Sequence, residues 1–249
     1  MNIALLLSTL LLAIDPHLQR ALELRKQGDP EVQSYTYTEH STNINYDSKG
    51  KETHRYRDTY EIIFLEGAPY KKHVQHDDKP LPEKEARAEQ KKLDDVAKAR
   101  RQERERHGLL HASFRFELPL DRVADRFDVQ AMAPEELDGR QNLVFMAVPP
   151  AGSDLKALAH DGLAYQMKFW VDEQDNAFRR VEAKVIGEGM RWEKDSLVVF
   201  DFAKVRNEAW LPARFSYKGR VRYMGHNIDA EAEQTYTDYK KFQAETVLR

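Results

Sequence analysis

Two histidines and two aspartates stand together where a predicted strand ends, in the order His73, His76, Asp77 and Asp78. Imidazole and carboxylate groups are ligands for metal ions of the zinc type. Residues three apart on a strand point to opposite faces, so the two imidazoles would converge only if the chain turned between them. The chain has nine scattered histidines, which need no ligand role. We therefore predict no metal site and no cofactor.

Paired carboxylates are the second group that could do chemistry. Glu135 and Glu136 are adjacent, and Glu231 and Glu233 share one face of a predicted strand. General acid–base catalysis needs such groups in a pocket, whereas the pattern here favours a solvated outer face. The sequence contains no GxGxxG, GxxxxGK, HExxH or GxSxG motif. We expect no enzyme activity.

Composition sets the outer bounds. A length of 249 residues fits one large β domain or two small ones, and 41% hydrophobic residues supply ample core. The net charge of −3 gives no reason to expect a nucleic-acid partner. The absence of cysteine excludes disulfides, thiolate metal sites and a cysteine nucleophile.

The N-terminus carries one uniform apolar run, from Ile3 to Ile14. It is shorter than the ~20 residues that span a bilayer, and it matches the apolar region of a signal peptide. No Lys or Arg precedes it, and the alternative is a buried N-terminal helix. We favour export, with residues 1–14 as the signal peptide, residues 15–249 as one domain, no transmembrane segment in the mature chain and a periplasmic or otherwise exported location.

Two helices are predicted. Asp15 and Pro16 suit the start of a short helix that ends before Gly28. Residues 82–107 form a long, strongly charged run of helix-forming residues. Its acids and bases are interspersed and no aromatic residue accompanies them, which favours a solvated helix over a nucleic-acid-binding one. A thin apolar face should rest on the sheet; its members are Ala86, Leu93, Val96 and Ala97.

The rest of the chain alternates with the period of β-strands. Residues 32–65 form a Tyr- and Thr-rich hairpin around a turn that ends at Gly50. Residues 109–125 are ambiguous between a strand with a helical turn and two short helices. Later strands follow one another through short turns, which predicts an antiparallel meander. We therefore expect a mainly β fold: an open, unclosed antiparallel β-barrel or strongly curved sheet, with helices covering the concave face and the charged helix as an insertion.

Large apolar side chains share one face of several predicted strands. Such a face is either a filled core or, in a sheet curved around a cavity, the wall of a lipid-sized pocket. The sequence does not choose between the two. We select eight residues as candidates for binding an apolar ligand: Tyr56, Tyr60, Phe64, Tyr165, Met167, Phe169, Phe215 and Tyr217.

The last third of the chain resembles a known family. The segment 167–172 ends in Trp170, Val171 and Asp172, and an Arg-Val-Glu strand follows after a polar turn. Together with the Trp-Leu-Pro sequence at 210–212 and the closing segment 236–242, this resembles bacterial outer-membrane lipoprotein-sorting proteins of the LolA/LolB-like fold. The resemblance implies an unclosed antiparallel barrel with a helical lid, a periplasmic location and an acyl chain as ligand. The inserted charged helix departs from that pattern.

Three functions follow, in order of preference. The first is a periplasmic binding or carrier protein for an apolar ligand, with a lipid or acyl chain, and envelope lipoproteins, as partners. The second is a structural or interaction protein of the envelope that has a filled core. The third is an enzyme built on the same shell, which a cluster of buried, convergent polar groups would favour.

Overall fold

A computed structural model describes residues 14–27, 35–107, 118–187, 193–223 and 226–241. Most of the predicted signal peptide, and the first part of the ambiguous segment 109–125, lie outside these residues. The four helices are α1 (Pro16–Gln27), α2 (Glu83–His107), α3 (Val123–Arg126) and α4 (Leu155–His160). The strands are β1 (Tyr35–Tyr46), β2 (Glu52–Leu65), β3 (Ala68–His76), β4 (Lys79–Pro80), β5 (Asp128–Leu137), β6 (Arg140–Val148), β7 (Tyr165–Asp172), β8 (Phe178–Val185), β9 (Leu197–Val205), β10 (Ala209–Tyr223) and β11 (His226–Lys241).

All eleven strands belong to one antiparallel sheet, in the order β4-β3-β2-β1-β11-β10-β9-β8-β7-β6-β5. The first strand pairs with β2 on one side and with the last strand on the other, so two meanders join in the middle. The sequence neighbours β4 and β5 form opposite edges, and the sheet is not closed into a barrel. The predicted fold class, a mainly β protein with an unclosed antiparallel sheet, is confirmed.

The main core lies on one face of strands β6 to β10. Alternate residues of β7 point into it, and Met167, Phe169 and Val171 are fully buried. The register sets these side chains opposite apolar residues of the neighbouring strands, with Phe169 across from both Phe145 and Val181. The alternation predicted for this region therefore becomes a packed face.

Helix α1 covers this core with its apolar side. Asp15 starts the helix, since its carboxylate accepts a hydrogen bond from the backbone N–H of His17 at 2.8 Å. Leu18 and Ala21 are buried and Leu22 packs beside them, at the spacing of one helical face. Burying one leucine side chain contributes about 2 kcal/mol, so this short helix depends on the sheet for its stability. Among the described helices, none is long and apolar enough to cross a membrane.

The charged helix α2 lies along β3, whose outer side the two-residue strand β4 covers only at Gln75 and His76, and stays outside the main core. Arg100 donates hydrogen bonds to the backbone carbonyls of Leu65, Ala68 and Pro69 at 2.9–3.0 Å. Glu89 accepts a hydrogen bond from the hydroxyl of Tyr70 at 2.8 Å. Unpaired backbone N–H and C=O groups at the edge of a sheet can pair with strands of other chains. By donating to three backbone carbonyls, Arg100 of α2 satisfies some of these groups.

The predicted thin face of α2 is present but contains polar members. Ala97 is buried, Leu93 and Val96 are half-buried, and Ala86 is exposed. Helix α1 thus covers the core face, whereas α2 packs along β3. Residues 120–126, within the ambiguous segment, form a short 3₁₀ turn followed by α3.

The packing of α2 can be tested with two matched substitutions. Ala97→Glu places a carboxylate against the sheet and should lower the free energy of unfolding by about 1–3 kcal/mol. Ala88→Glu has the same effect on helix propensity, but Ala88 is exposed, and the change should stay within about 0.5 kcal/mol. Urea titrations followed by circular dichroism give both values. Equal effects of the two substitutions would show that α2 does not pack on the sheet.

Candidate functional site

A cleft lies between the C-terminal half of α1 and the sheet. Its volume is about 220 Å³. Residues of α1, the turn between β7 and β8, strand β9 and the start of β10 line it. The apolar part of the lining comes from Ala21, Leu24, Ala177, Phe178, Phe202, Ala209 and Trp210.

Charged groups lie at the border of the same cleft. The guanidinium of Arg25 stands over the ring of Phe202, 4.5 Å from its centre. Glu208 accepts hydrogen bonds from Lys241 at 2.8 Å and from the hydroxyl of Tyr35 at 3.0 Å. The hydrogen bond from Lys241 has the largest effect on the pKa of Glu208 and lowers it, and the hydrogen bond from Tyr35 lowers it further. This carboxylate is therefore ionised at neutral pH. Apolar and charged residues thus line the cleft together.

The predicted ligand residues of the C-terminal half lie in the core instead of lining this cleft. Tyr165, Met167, Phe169 and Tyr217 are buried among other apolar side chains. Phe215 is half-buried and its ring packs 5.0 Å from that of Phe200. Along the described strands this face is therefore filled by side chains and by α1. A ligand role for these five residues stays a prediction.

The other three candidates lie on the N-terminal hairpin, away from the cleft. Tyr56 is 40% exposed, whereas Tyr60 and Phe64 are half-buried. The ring of Tyr60 contacts the ammonium group of Lys71, 4.1 Å from the ring centre, and stacks on His73 at 4.8 Å. The structure thus separates the eight candidates into a packed group and a group with polar neighbours.

A buried carboxylate fixes the wall of the cleft. Asp172 ends β7 with 1% of its surface exposed. Its two oxygens accept hydrogen bonds from Nε and Nη2 of Arg140, at 2.5 and 2.8 Å. Oδ1 also accepts from the backbone N–H groups of Gln174 and Asp175, at 3.1 and 2.9 Å. One side chain therefore shapes the β7–β8 turn and ties it to β6.

Asp175 extends this network to the two strands that form the floor of the cleft. Its carboxylate lies 2.9 Å from Arg140, 2.8 Å from Lys204 and 3.0 Å from the indole nitrogen of Trp210. Burial alone would raise the pKa of Asp175. The hydrogen bonds from Lys204 and Trp210 and the positive charges of Lys204 and Arg140 have the opposite and larger effect, so the pKa of Asp175 is lowered. Asn176 then meets α1 through His17, at 2.5 Å.

These contacts give the sequence motifs a physical reason. The Trp-Val-Asp motif supplies Asp172, and the Trp-Leu-Pro motif supplies Trp210, whose indole donates to the turn that Asp172 shapes. In the family resemblance these two motifs were linked only by their order along the chain. In the structure they meet at one side of the cleft. Both motifs are visible in the sequence, whereas the contact between them and the role of Arg140 are not.

The paired carboxylates belong to the charged face of the sheet opposite the core. Glu231 pairs with Lys218 at 2.7 Å, and Glu233 with Arg214 at 3.4 Å. Glu135 accepts hydrogen bonds from the indole of Trp170 and from Lys168, which lower its pKa. Hydrogen bonding to Lys218 likewise lowers the pKa of Glu231. A general acid needs a raised pKa, so these pairs suit a solvated, ion-paired face.

A second buried carboxylate went unnoticed in the sequence. Glu39 of β1 has 1% of its surface exposed and lies 2.6 Å from Nζ of Lys71. Burial, followed by the negative charge of Glu39, raises the pKa values of its neighbours Tyr37 and Tyr236. The sequence feature that points to this buried carboxylate is a glutamate at an inward position of an alternating strand, between Tyr37 and Ser41.

No protein-family model and no curated protein matches the chain. The solved structures to which the chain is similar include one described as an outer membrane lipoprotein-sorting protein domain, from Vibrio parahaemolyticus, with 11% identity, a TM-score of 0.39 and coverage of 93% of this chain and 95% of that one. A DUF1329 family protein from Desulfovibrio piger has 14% identity, a TM-score of 0.38 and coverage of 94% and 93%. A LolA superfamily protein from Nitrosomonas europaea has 10% identity, a TM-score of 0.34 and coverage of 91% and 92%.

The likeness to the lipoprotein-sorting group that the sequence motifs indicated is therefore confirmed as a likeness.

The turn network yields a stability prediction. Asp172→Asn leaves Arg140 facing a neutral amide at a buried site and should lower the free energy of unfolding by about 3 kcal/mol. Glu173→Gln changes the same charge at an exposed position of the same turn and should cost less than about 0.5 kcal/mol. Urea unfolding of the two variants beside the wild type measures the difference. A cost for Asp172→Asn as small as that of Glu173→Gln would mean that the network does not hold the turn.

Proposed function

We propose that this chain is a non-enzymatic binding or carrier protein for an apolar ligand, and that an acyl chain enters the cleft beneath α1. The observation that carries the proposal is the cleft itself. It lies between a short helix and a sheet that is not closed, its walls are largely apolar, and charged groups border it. Binding sites for amphipathic ligands combine an apolar pocket with a few polar groups in this way.

The size of the cleft defines how much of a ligand it can take. Pockets for drug-sized ligands measure roughly 300–1,000 Å³, and this cleft measures about 220 Å³. It therefore accommodates the end of an acyl chain, while a whole lipid requires α1 to move outward. The helix suits such a movement, because it is short and its stability comes from packing. Arg25 and Lys204 are the basic residues that line the cleft, and their positive charge suits an acidic headgroup.

The titratable groups at the cleft support binding over catalysis. Asp175 and Glu208 both have lowered pKa values, so each is an ion-paired carboxylate and not a proton donor at neutral pH. The proposal includes export to the periplasm and envelope lipoproteins as the source of the acyl chain. These parts are supported by the apolar run Ile3–Ile14 and by the sequence resemblance.

A second function is favoured by one specific observation. Met167 and Phe169, the centre of the predicted ligand wall, have 0% exposure. A core filled in this way also suits an envelope interaction protein that binds another protein and no small ligand. The two functions differ in whether the cleft takes up an acyl chain.

Filling the cleft tests the first function directly. A fluorescent fatty acid should bind the wild type saturably, and Ala177→Leu should weaken its binding at least tenfold, because the added methyl groups occupy the cleft. Ala151→Leu adds the same atoms at an exposed loop position and should leave binding unchanged. Urea titrations of both variants confirm that they are folded. A wild type that does not bind the probe would exclude the acyl-chain proposal and leave the interaction protein.

A further inference from the structure

The histidine pair at the end of β3 converges after all, because β3 contains a β-bulge. Asp58 of β2 lies opposite His76, but two residues further along β2, Tyr60 lies opposite His73. Between these two pairs, β3 therefore contains one residue more than β2. In a regular strand, residues three apart face opposite sides; the extra residue brings both imidazoles to the face that carries Asp58.

Three donor atoms meet there. Oδ1 of Asp58 lies 2.8 Å from Nδ1 of His76 and 3.0 Å from Nε2 of His73, and all three atoms lie within 4.8 Å of one another. Bonds of about 2.0–2.1 Å to a tetrahedral zinc ion place neighbouring ligand atoms ~3.3 Å apart. Both distances from Oδ1 of Asp58 are slightly shorter than this spacing, so an ion between the three atoms requires both imidazole rings to move outward by a small amount.

We propose that Asp58, His73 and His76 form a binding site for a divalent transition-metal ion, with zinc as the reference ion. Two imidazoles and one carboxylate suit such an ion, whereas calcium and magnesium prefer oxygen ligands alone. The ion takes the place of the imidazole protons that face Oδ1 of Asp58. Three protein ligands leave a fourth position open to solvent or to a donor from a partner.

Surrounding residues orient the ligands. Asp77 is held to β2, since its backbone N–H donates to the carbonyl of Arg57 at 2.6 Å. Its carboxylate lies 3.7 Å from Nε2 of His76, on the side of the ring away from Asp58. A carboxylate in that place favours the proton on Nε2 and leaves Nδ1 for a metal ion. The ring of Tyr60 stacks on that of His73 and limits its rotation.

The local charge also favours a cation. The carboxylates of Asp58 and Asp77 lie 2.8 and 3.7 Å from the two ring nitrogens of His76. The same negative groups attract a dication. Among the described residues, this is the group of His, Asp and Glu side chains whose donor atoms are close enough to share one ion.

The site can be tested by calorimetric titration of the untagged full-length chain with zinc chloride, and by the visible absorption of bound cobalt. We expect one saturable ion per chain and an absorption spectrum of tetrahedral cobalt. His76→Gln and Asp58→Asn should each weaken binding at least tenfold and remove the cobalt spectrum. His160→Gln is the matched control, because its side chain is 91% exposed and far along the chain, and it should change nothing.

The outcomes separate a metal site from a hydrogen-bonded triad that merely supports the bulge. A wild type without saturable uptake overturns the proposal, and so does a His76→Gln variant that binds zinc as the wild type does. Thermal unfolding without added metal shows whether each variant is folded, and His73→Gln provides a third variant if Asp58→Asn is not. Fatty-acid binding at the α1 cleft is a separate measurement, so failure of either proposal leaves the other standing.

Discussion

The arrangement of this molecule depends on one buried negative charge, the carboxylate of Asp172. A buried carboxylate is costly unless each oxygen is hydrogen-bonded, and here a guanidinium and two backbone N–H groups meet that need. Satisfying it forces the β7–β8 turn into one shape and aligns β6 beside it. Asp175, held in that turn, then reaches β9 and β10. The cleft exists where it does because these strand ends are tied together by charge, while α1 rests on them through apolar contacts.

The pairing of the first and last strands explains how an unclosed sheet reaches eleven strands. Joining β1 to β11 brings distant parts of the chain together in the middle of the sheet and leaves the edges to β4 and β5, which are consecutive strands along the chain. A short turn between β4 and β5 would favour closing the barrel. The inserted helix α2 instead occupies that connection and packs on the β3 edge through Arg100 and Glu89. Its charged outer surface keeps that edge solvated and discourages pairing between molecules.

Local pattern sufficed to predict the strands and helices, because alternation and composition are properties of single segments. Helices α1 and α2 lie close to their predicted bounds for this reason. The sites depend on pairs of segments. Whether His73 and His76 share a face is decided by the register of β3 against β2, and the partner Asp58 is 15 residues away from His73. Likewise the alternation of Glu39 with Tyr37 indicated an inward side chain, but Lys71, which makes its burial tolerable, lies on another strand.

The same reasoning explains why the apolar face alone could not reveal the binding site. A filled core and a ligand pocket require the same alternation of apolar residues, and what separates them is the element that lies on top. Here Leu18 and Ala21 of α1 fill the centre of the face, so Met167 and Phe169 contribute stability. Unfilled space remains at the end of the sheet, where α1 passes over turns whose shape is set by Asp172 and Asp175. A site of this kind is lined by residues of a helix, a turn and strand ends. No single repeating period in the sequence links these residues, so the pattern of one segment does not reveal the site. Accessible space in this fold is therefore determined by polar contacts at strand ends, even though most residues of its lining are apolar.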